Sequence, residues 1–198
     1  MGRDVVKRSF DIAASLLGLV VLSPVLVVLA IAILIDSGAP VLFTQERVGR
    51  GGIPFRIHKF RTMRPAGGPQ ITAGGDPRIT RIGGFLRRTK LDELPQLWDI
   101  LRGKMSFVGP RPEVPAMFEH YPAGARDRIV SVRPGITDLA TLEFRHEEDL
   151  LADADDPVRT YIEDIVPQKV ALYLEYLDRR SFGLDLSIIG RTIAALFK

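Results

Sequence analysis

Residues 12–35 read IAASLLGLVVLSPVLVVLAIAILI, an uncharged run closed at its ends by Asp11 and Asp36. As a straight helix, roughly 24 residues would extend about 36 Å, enough to cross a bilayer. A secretory signal peptide fits poorly. Arg3, Lys7 and Arg8 resemble its basic start, but the apolar run is about twice the usual length and Ser37-Gly38-Ala39 makes a poor cleavage site. Ser23-Pro24 falls near the middle of the run. Proline inside a helix removes a backbone bond and crowds the preceding turn, and in lipid the freed carbonyl needs a substitute partner such as the Ser23 hydroxyl. A kinked span and a re-entrant hairpin both meet that need. Basic residues flank the run on both sides: Arg3, Lys7 and Arg8 before it, then Arg47, Arg50, Arg56, Lys59, Arg61 and Arg64 after it. Lys/Arg-rich flanks stay on the cytoplasmic side, so two such flanks favour the re-entrant form.

Outward from this run, 198 residues suffice for one modest domain with an anchoring element and are too few for two full enzyme domains. The chain has no cysteine, which leaves neither a disulfide framework nor a thiolate metal site. A formal charge of +3 fits nucleic acid, anionic lipid or phosphorylated substrates equally. Val41–Thr44 and Phe55–Phe60 read as short strands joined by a turn at Gly49-Arg50-Gly51-Gly52, with Pro54 starting the second. Pro65 to Gly75 reads as a Gly/Pro loop and Ile82–Arg88 as a helix. Thr89 is placed as a cap for a following helix whose stripe is Leu91, Leu94, Leu97, Trp98 and Leu101, with Trp98 packing in the core by default and a membrane-interface role second. Gly109-Pro110-Arg111-Pro112 reads as extended or turn. Glu143–Asp164 reads as acidic surface structure, and Val158–Arg179 as a helix open to a break at Pro167. The apolar end from Leu184 to Phe197 reads as a helix at the membrane interface.

Between Gln45 and Leu91 stand eleven Lys and Arg residues against only Glu46 and Asp76, a one-sign block suited to an anionic partner. A belt gripping anionic lipid would account for that charge. It does not account for Asp92-Glu93, which follows Arg81, Arg87, Arg88 and Lys90 directly and precedes Pro95. Adjacent carboxylates in such a setting suit a hard divalent ion shared with substrate phosphates, typically Mg²⁺, and a carboxylate can attack phosphorus to form an acyl phosphate. Alone, such a pair more often serves the helix dipole. A nucleic-acid binder is disfavoured because the basic block lacks interleaved aromatics and the chain carries an anchor. His58, His120 and His146 show no metal-ligand spacing.

Several segments taken together are more specific. Lys59–Met63, Asp76–Gly83, Leu91-Asp92-Glu93-Leu94-Pro95-Gln96-Leu97, Ser106–Glu113 with its Gly-Pro-Arg-Pro, and Arg133-Pro134-Gly135-Ile136-Thr137 occur in this order. With Ser23-Pro24 and Phe182–Leu186, they closely resemble the bacterial sugar transferase family, specifically the PglC-like monotopic phosphoglycosyl transferases. The resemblance covers nearly the whole chain and looks like the minimal catalytic form.

The resemblance implies a mostly helical α+β fold with a small β-hairpin, interfacial amphipathic helices, a re-entrant membrane helix at residues 1–37 and a cytoplasmic-face catalytic domain at 38–198. It implies Asp92 as nucleophile, with Glu93 beside it and Mg²⁺ at the pair. Lys59, Arg61, Arg87, Arg88 and Arg111 are the expected substrate contacts, and Ser23-Pro24 the break that folds the helix back. The implied substrates are a UDP-sugar and a polyprenyl phosphate, at the inner membrane, for the first membrane step of glycoconjugate synthesis. Membrane lipid is a further expected partner, nucleic acid is not, and oligomerisation stays open. Many relatives carry glycine after Arg-Pro-Gly-Ile-Thr where this chain has Asp138. The chemistry is unaffected by that difference, which bears on the acceptor or sugar pocket.

Overall fold

The computed structural model describes residues 2–64, 76–145 and 147–196; the loop read at Pro65–Gly75, His146 and Phe197 lie outside them. The apolar run forms two helices, α1 (Gly2–Val21) and α2 (Ser23–Ser37), bent by 60° at Leu22. The bend follows from the sequence. Pro24 has no N–H to offer the carbonyl four residues back, Val20 O, and the Ser23 hydroxyl donates to that oxygen instead at 2.7 Å. Among the described residues no single helix is long and apolar enough to cross a membrane, whereas this bent pair together is.

The two helices grip the rest of the chain differently. On α1, Arg8 donates to Ile100 O and Leu101 O at 2.7 and 2.8 Å, and Lys7 pairs with Asp185 at 2.6 Å. Asp11 is buried and accepts from Phe107 N. Gly18 lets Leu97 approach so closely that an added Cβ would lie 3.1 Å from it. On α2, Leu29 and Ile33 bury against Phe60 and Leu86. The remaining faces leave Val5, Leu16, Val20, Val27, Val28 and Ile35 exposed.

Strands β1 (Leu42–Val48) and β2 (Pro54–Phe60) pair antiparallel with Leu42 opposite Phe60 and Val48 opposite Pro54. β1 thus runs four residues beyond its predicted end at Thr44. Gln45-Glu46-Arg47 lacks apolar alternation but gains a full set of ladder bonds. The connecting turn needs φ values of 70° at Gly51 and 73° at Gly52, which only glycine adopts cheaply. Two further strands escaped the sequence reading. β3 (Ser106–Val108) and β4 (Gly135–Thr137) are parallel and three residues each, too short for an alternating pattern.

After α3 (Arg81–Thr89) comes a 3-10 turn at Leu91–Glu93 and then α4 (Gln96–Leu101). Thr89 does not cap a following helix. It ends α3, its hydroxyl donating back to Phe85 O at 2.9 Å, and Lys90 then reverses the chain at φ 57°. Trp98 does not pack in the core. The residue is 48% exposed, with the Arg102 guanidinium 5.8 Å from the ring centre, while Leu97 and Ile100 take the buried apolar positions of α4.

Short helices α5 (Pro115–Phe118), α6 (Ala123–Val130), α7 (Leu139–Glu143), α8 (Glu147–Ala152) and α9 (Pro157–Thr160) lead to α10 (Val166–Arg179) and α11 (Phe182–Ala195). The helix is not broken at Pro167. The irregularity is a π turn at Tyr161–Ile165 just before it, where a regular turn would set the proline ring against the Glu163 carbonyl. The acidic segment is less superficial than its composition implies, because Leu151, Tyr161 and Ile165 enter the main core with Ile129, Val170 and Tyr173. On α11, Ile188 is buried against Val108 and Tyr176, while Leu186, Ile193 and, just after the helix, Leu196 remain exposed.

Candidate active site

The site is assembled where β2, the 3-10 turn and the segment after β3 meet. Asp92 and Glu93 lie on the 3-10 turn, each 8% exposed. Lys59 reaches in from β2 and donates to Glu93 Oε1 at 2.8 Å. Arg111 follows β3 and forks onto both Glu93 oxygens, with Nη1 at 3.3 Å from Oε2 and Nη2 bonded to Oε1; Nη1 also reaches Ile136 O at 3.3 Å.

The two carboxylates are therefore shifted in opposite directions. Burial acts to raise Glu93, but Arg111 and Lys59 outweigh it and hold this carboxyl well below its ordinary range. Asp92 is raised, first by burial and then by the Glu93 charge, with Lys59, Lys90 and Arg87 opposing. Asp92 Oδ1 is buried without a hydrogen-bond partner. Unpartnered buried acceptors are costly and few, and at a site they point to an absent reaction partner. Among the described residues no group of three or more His, Cys, Asp or Glu side chains could hold a metal ion. With the Glu93 oxygens engaged, Asp92 Oδ1 is the open oxygen. Mg²⁺ commonly takes only one or two carboxylates and completes its shell with substrate phosphates and water, so the pair fits that ion.

The expected basic residues divide. Lys59 and Arg111 converge on Glu93. Arg87 contributes its charge toward Asp92 while its Nη1 lies 3.5 Å from Thr62 Oγ1. Arg88 is on the exposed side of α3, and no described contact brings it to the carboxylates. Arg61 is committed elsewhere. Its guanidinium is buried and donates at 2.9 Å to Ala39 O and to Ser37 O, so it closes the C-terminal end of α2.

Arg111 is itself held from behind. Gly109 N donates to Thr137 O and Gly135 N to Pro110 O, at 3.2 and 3.0 Å. A Cβ on Gly135 would lie 2.2 Å from Gly109 N, so the two segments meet backbone to backbone. On the other side Arg47 donates to Pro112 O and pairs with Glu113 at 3.2 Å, and Tyr161 Oη donates to Glu113 Oε2 at 2.5 Å. The sequence reading had Arg47 only as a flanking charge and Glu113 only as the end of a motif, and gave neither of them, nor Tyr161, a role at the site.

Glu93 and Arg111 open onto a cleft of about 350 Å³. Its apolar wall includes Leu94, Phe107, Ile136, Phe144, Ile189 and Ile193, and its charged lining adds Lys90, Arg145, Glu147 and Lys169. Lys169 was also missed, although a signal existed: it interrupts the buried helical stripe Val166, Val170, Tyr173.

Asp138 does not line the cleft. It is fully buried and caps α7, accepting from Thr141 N at 2.8 Å and Thr141 Oγ1 at 3.0 Å. Burial raises its carboxyl above the ordinary aspartate value of about 3.9. The folded state then binds this proton more tightly than the unfolded chain. The group's contribution is favourable at low pH and is lost as pH rises from the unfolded value through the raised one. Asp138→Asn keeps the cap and removes the buried charge, so at pH 7 it should melt at or above the wild type, with any advantage vanishing near pH 4. Asp138→Ala should lose about 1–2 kcal/mol through the missing cap. Thermal melts at both pH values check this, and an Asn variant as unstable as Ala at pH 7 would contradict it.

The profile of the family "Bacterial sugar transferase" matches residues 2–198. "Undecaprenyl-phosphate glucose phosphotransferase" of Komagataeibacter xylinus is 41% identical over 202 residues, covering 94% of this chain and 35% of that protein. "UDP-glucose:undecaprenyl-phosphate glucose-1-phosphate transferase" of Caulobacter vibrioides is 37% identical, covering 98% of this chain and 70% of the relative. "Exopolysaccharide production protein PSS" of Rhizobium leguminosarum is 38% identical, covering 96% of this chain and 94% of the relative. The chain thus spans about a third of the first relative's length and nearly all of the third. On the match over residues 2–198, the chain belongs to the bacterial sugar transferase family.

Proposed function

We propose that this chain is a phosphoglycosyl transferase that moves a phosphosugar from a UDP-sugar to a polyprenyl phosphate through a covalent intermediate on Asp92. The observation that carries this reading is the asymmetric pair: Asp92 with an unpartnered buried oxygen, beside a Glu93 neutralised by Lys59 and Arg111. Relatives named for transfer from UDP-glucose to undecaprenyl phosphate support the substrate classes.

In the first step an Asp92 oxygen attacks the sugar-linked phosphorus. The new O–P bond forms as the diphosphate P–O bond breaks, and UMP leaves with the bonding electron pair. In the second step a phosphate oxygen of the polyprenyl carrier attacks the same phosphorus, breaking its bond to the Asp92 oxygen, which leaves with the electron pair as the regenerated carboxylate. In this reading Lys59 and Arg111, which meet at Glu93, neutralise and orient the transferring phosphoryl group. Asp92, with Glu93 beside it, would hold Mg²⁺, which would supply neutralisation of the diphosphate. The test is UMP release from a panel of UDP-sugars by detergent-solubilised protein supplied with undecaprenyl phosphate and Mg²⁺. No release from any of them would overturn the reading.

The same reading places residues 1–37 in the membrane and 38–198 at its cytoplasmic face. The exposed apolar faces of α1 and α2, with Leu186 and Ile193 on α11 and Leu196 just after it, support a lipid contact. The 60° bend, with basic residues at both flanks, supports a re-entrant pair. Because the chain has no cysteine, single Asp4→Cys and Ala39→Cys variants report cleanly. Both should be shielded from a membrane-impermeant thiol reagent in intact cells and labelled once the membrane is opened. Opposite accessibility would establish a spanning arrangement.

A further inference from the structure

Lys169 is unusual for a lysine. Its side chain is 9% exposed, at the wall of the cleft that also exposes Glu93 and Arg111. The ammonium pairs with Glu147, whose side chain is 25% exposed, and lies 3.4 Å from the Tyr161 hydroxyl and 4.8 Å from the centre of that ring. A lysine so buried, away from the carboxylate pair, demands a reason. As a structural ion pair alone it would be a poor investment, since taking two charges out of water offsets most of their attraction.

The charge balance in the cleft separates two kinds of binding place. At Asp92 and Glu93 the cations Lys59 and Arg111 are joined by the charges of Lys90 and Arg87, and this cation-rich setting suits phosphate. At Glu147–Lys169 one cation faces one carboxylate, so the pair itself carries no surplus for an anion. Among the described residues, two of the three ammonium donors are taken, by Glu147 and Tyr161, and only one Glu147 oxygen is engaged. One donor and one charged acceptor are left side by side, partly shielded from water, in a cleft with the aromatic rings of Phe144 and Tyr173 in its lining. Neighbouring hydroxyl groups of a neutral sugar ring present the complementary acceptor and donor.

We propose that Glu147 and Lys169 form the sugar-reading subsite of the cleft, binding hydroxyls of the hexose while Lys59 and Arg111 hold the diphosphate. The proposal rests on the phosphosugar-transfer reading above. A pocket built to hydrogen-bond a hydroxyl rejects a sugar that misplaces it, because the pair's buried polar atoms are then left unmatched. These are specificity-determining residues, outside the bond-making machinery.

The experiment compares full-length wild type, Lys169→Met and Glu147→Gln in detergent. It measures kcat/KM for UMP release from UDP-glucose, UDP-galactose and their N-acetylated forms, and inhibition by UDP, which has no sugar. Wild type is expected to favour one sugar over its epimer. Each variant should narrow that preference at least tenfold, raise KM for the favoured UDP-sugar, and leave inhibition by UDP within about twofold. Glu147→Gln preserves volume and an acceptor, so it keeps the test decisive where Lys169→Met does not fold. Unchanged selectivity, or equal weakening of UDP and UDP-sugar, overturns the proposal. Failure of the underlying reading looks different: wild type itself would then release no UMP from any of the sugars.

Discussion

With UDP-sugar and Mg²⁺ but no polyprenyl phosphate, the wild-type chain should release about one UMP per enzyme and keep the phosphosugar on the protein, whereas Asp92→Asn should do neither. Lost turnover alone would not identify the nucleophile, because removing a metal ligand also stops the reaction. The half reaction separates the two roles. An acyl phosphate on Asp92 adds the mass of the phosphosugar, is cleaved by hydroxylamine and is absent from the Asn variant. The geometry favours Asp92 over Glu93 for this step. Both Glu93 oxygens are occupied by Arg111 and Lys59, while Asp92 keeps a buried oxygen with no partner. If UMP appears only when the lipid acceptor is added, and intact-mass measurement finds no adduct, direct transfer replaces the covalent route and Asp92 becomes a Mg²⁺ ligand.

Arg111→Lys should be nearly as damaging as Arg111→Ala, with kcat/KM reduced on the order of 10²-fold or more, about 2.7 kcal/mol of transition-state stabilisation. The guanidinium binds Glu93 through two nitrogens and reaches Ile136 O at 3.3 Å with one of them. A lysine places one point charge where that planar fork was. Its loss also leaves Glu93 with Lys59 alone, so the carboxyl should rise toward its ordinary range and lose part of its fixed charge. UMP release kinetics, with circular dichroism and membrane flotation as controls for fold and attachment, measure the effect. Near-normal kinetics for Arg111→Ala would remove this residue from the site.

The parts legible in the sequence were those written in contiguous residues. Ser23-Pro24 announced the bend because both the missing donor and its replacement are local chemistry, and Gly51-Gly52 announced a turn because φ there is positive. Asp92-Glu93, Lys59 and Arg111 stood in recognisable motifs. What stayed hidden was long-range. Arg61 sits in one of those motifs, yet its guanidinium closes α2 because folding brings Ser37 and Ala39 within its reach. Trp98 matched an apolar stripe by spacing, but the stripe of α4 that is buried runs through Leu97 and Ile100. Glu147 on α8 and Lys169 on α10 lie 22 positions apart, and only the fold makes them a pair. Strands β3 and β4 are three residues each and exist only because each has the other.

The backbone contact between Gly109 and Gly135 joins two motifs that look independent along the chain. Gly109 precedes the arginine that clamps Glu93, and Gly135 opens the strand whose Ile136 and Thr137 line the same cleft and lead into the Asp138 cap. A side chain at either glycine would act as a wedge, displacing the clamp and that lining together. The reaction centre and the pocket wall therefore share one hinge pin. Anyone reshaping the cleft for a different sugar can vary its side chains freely around that joint, but moving the joint itself would detune the chemistry along with the specificity.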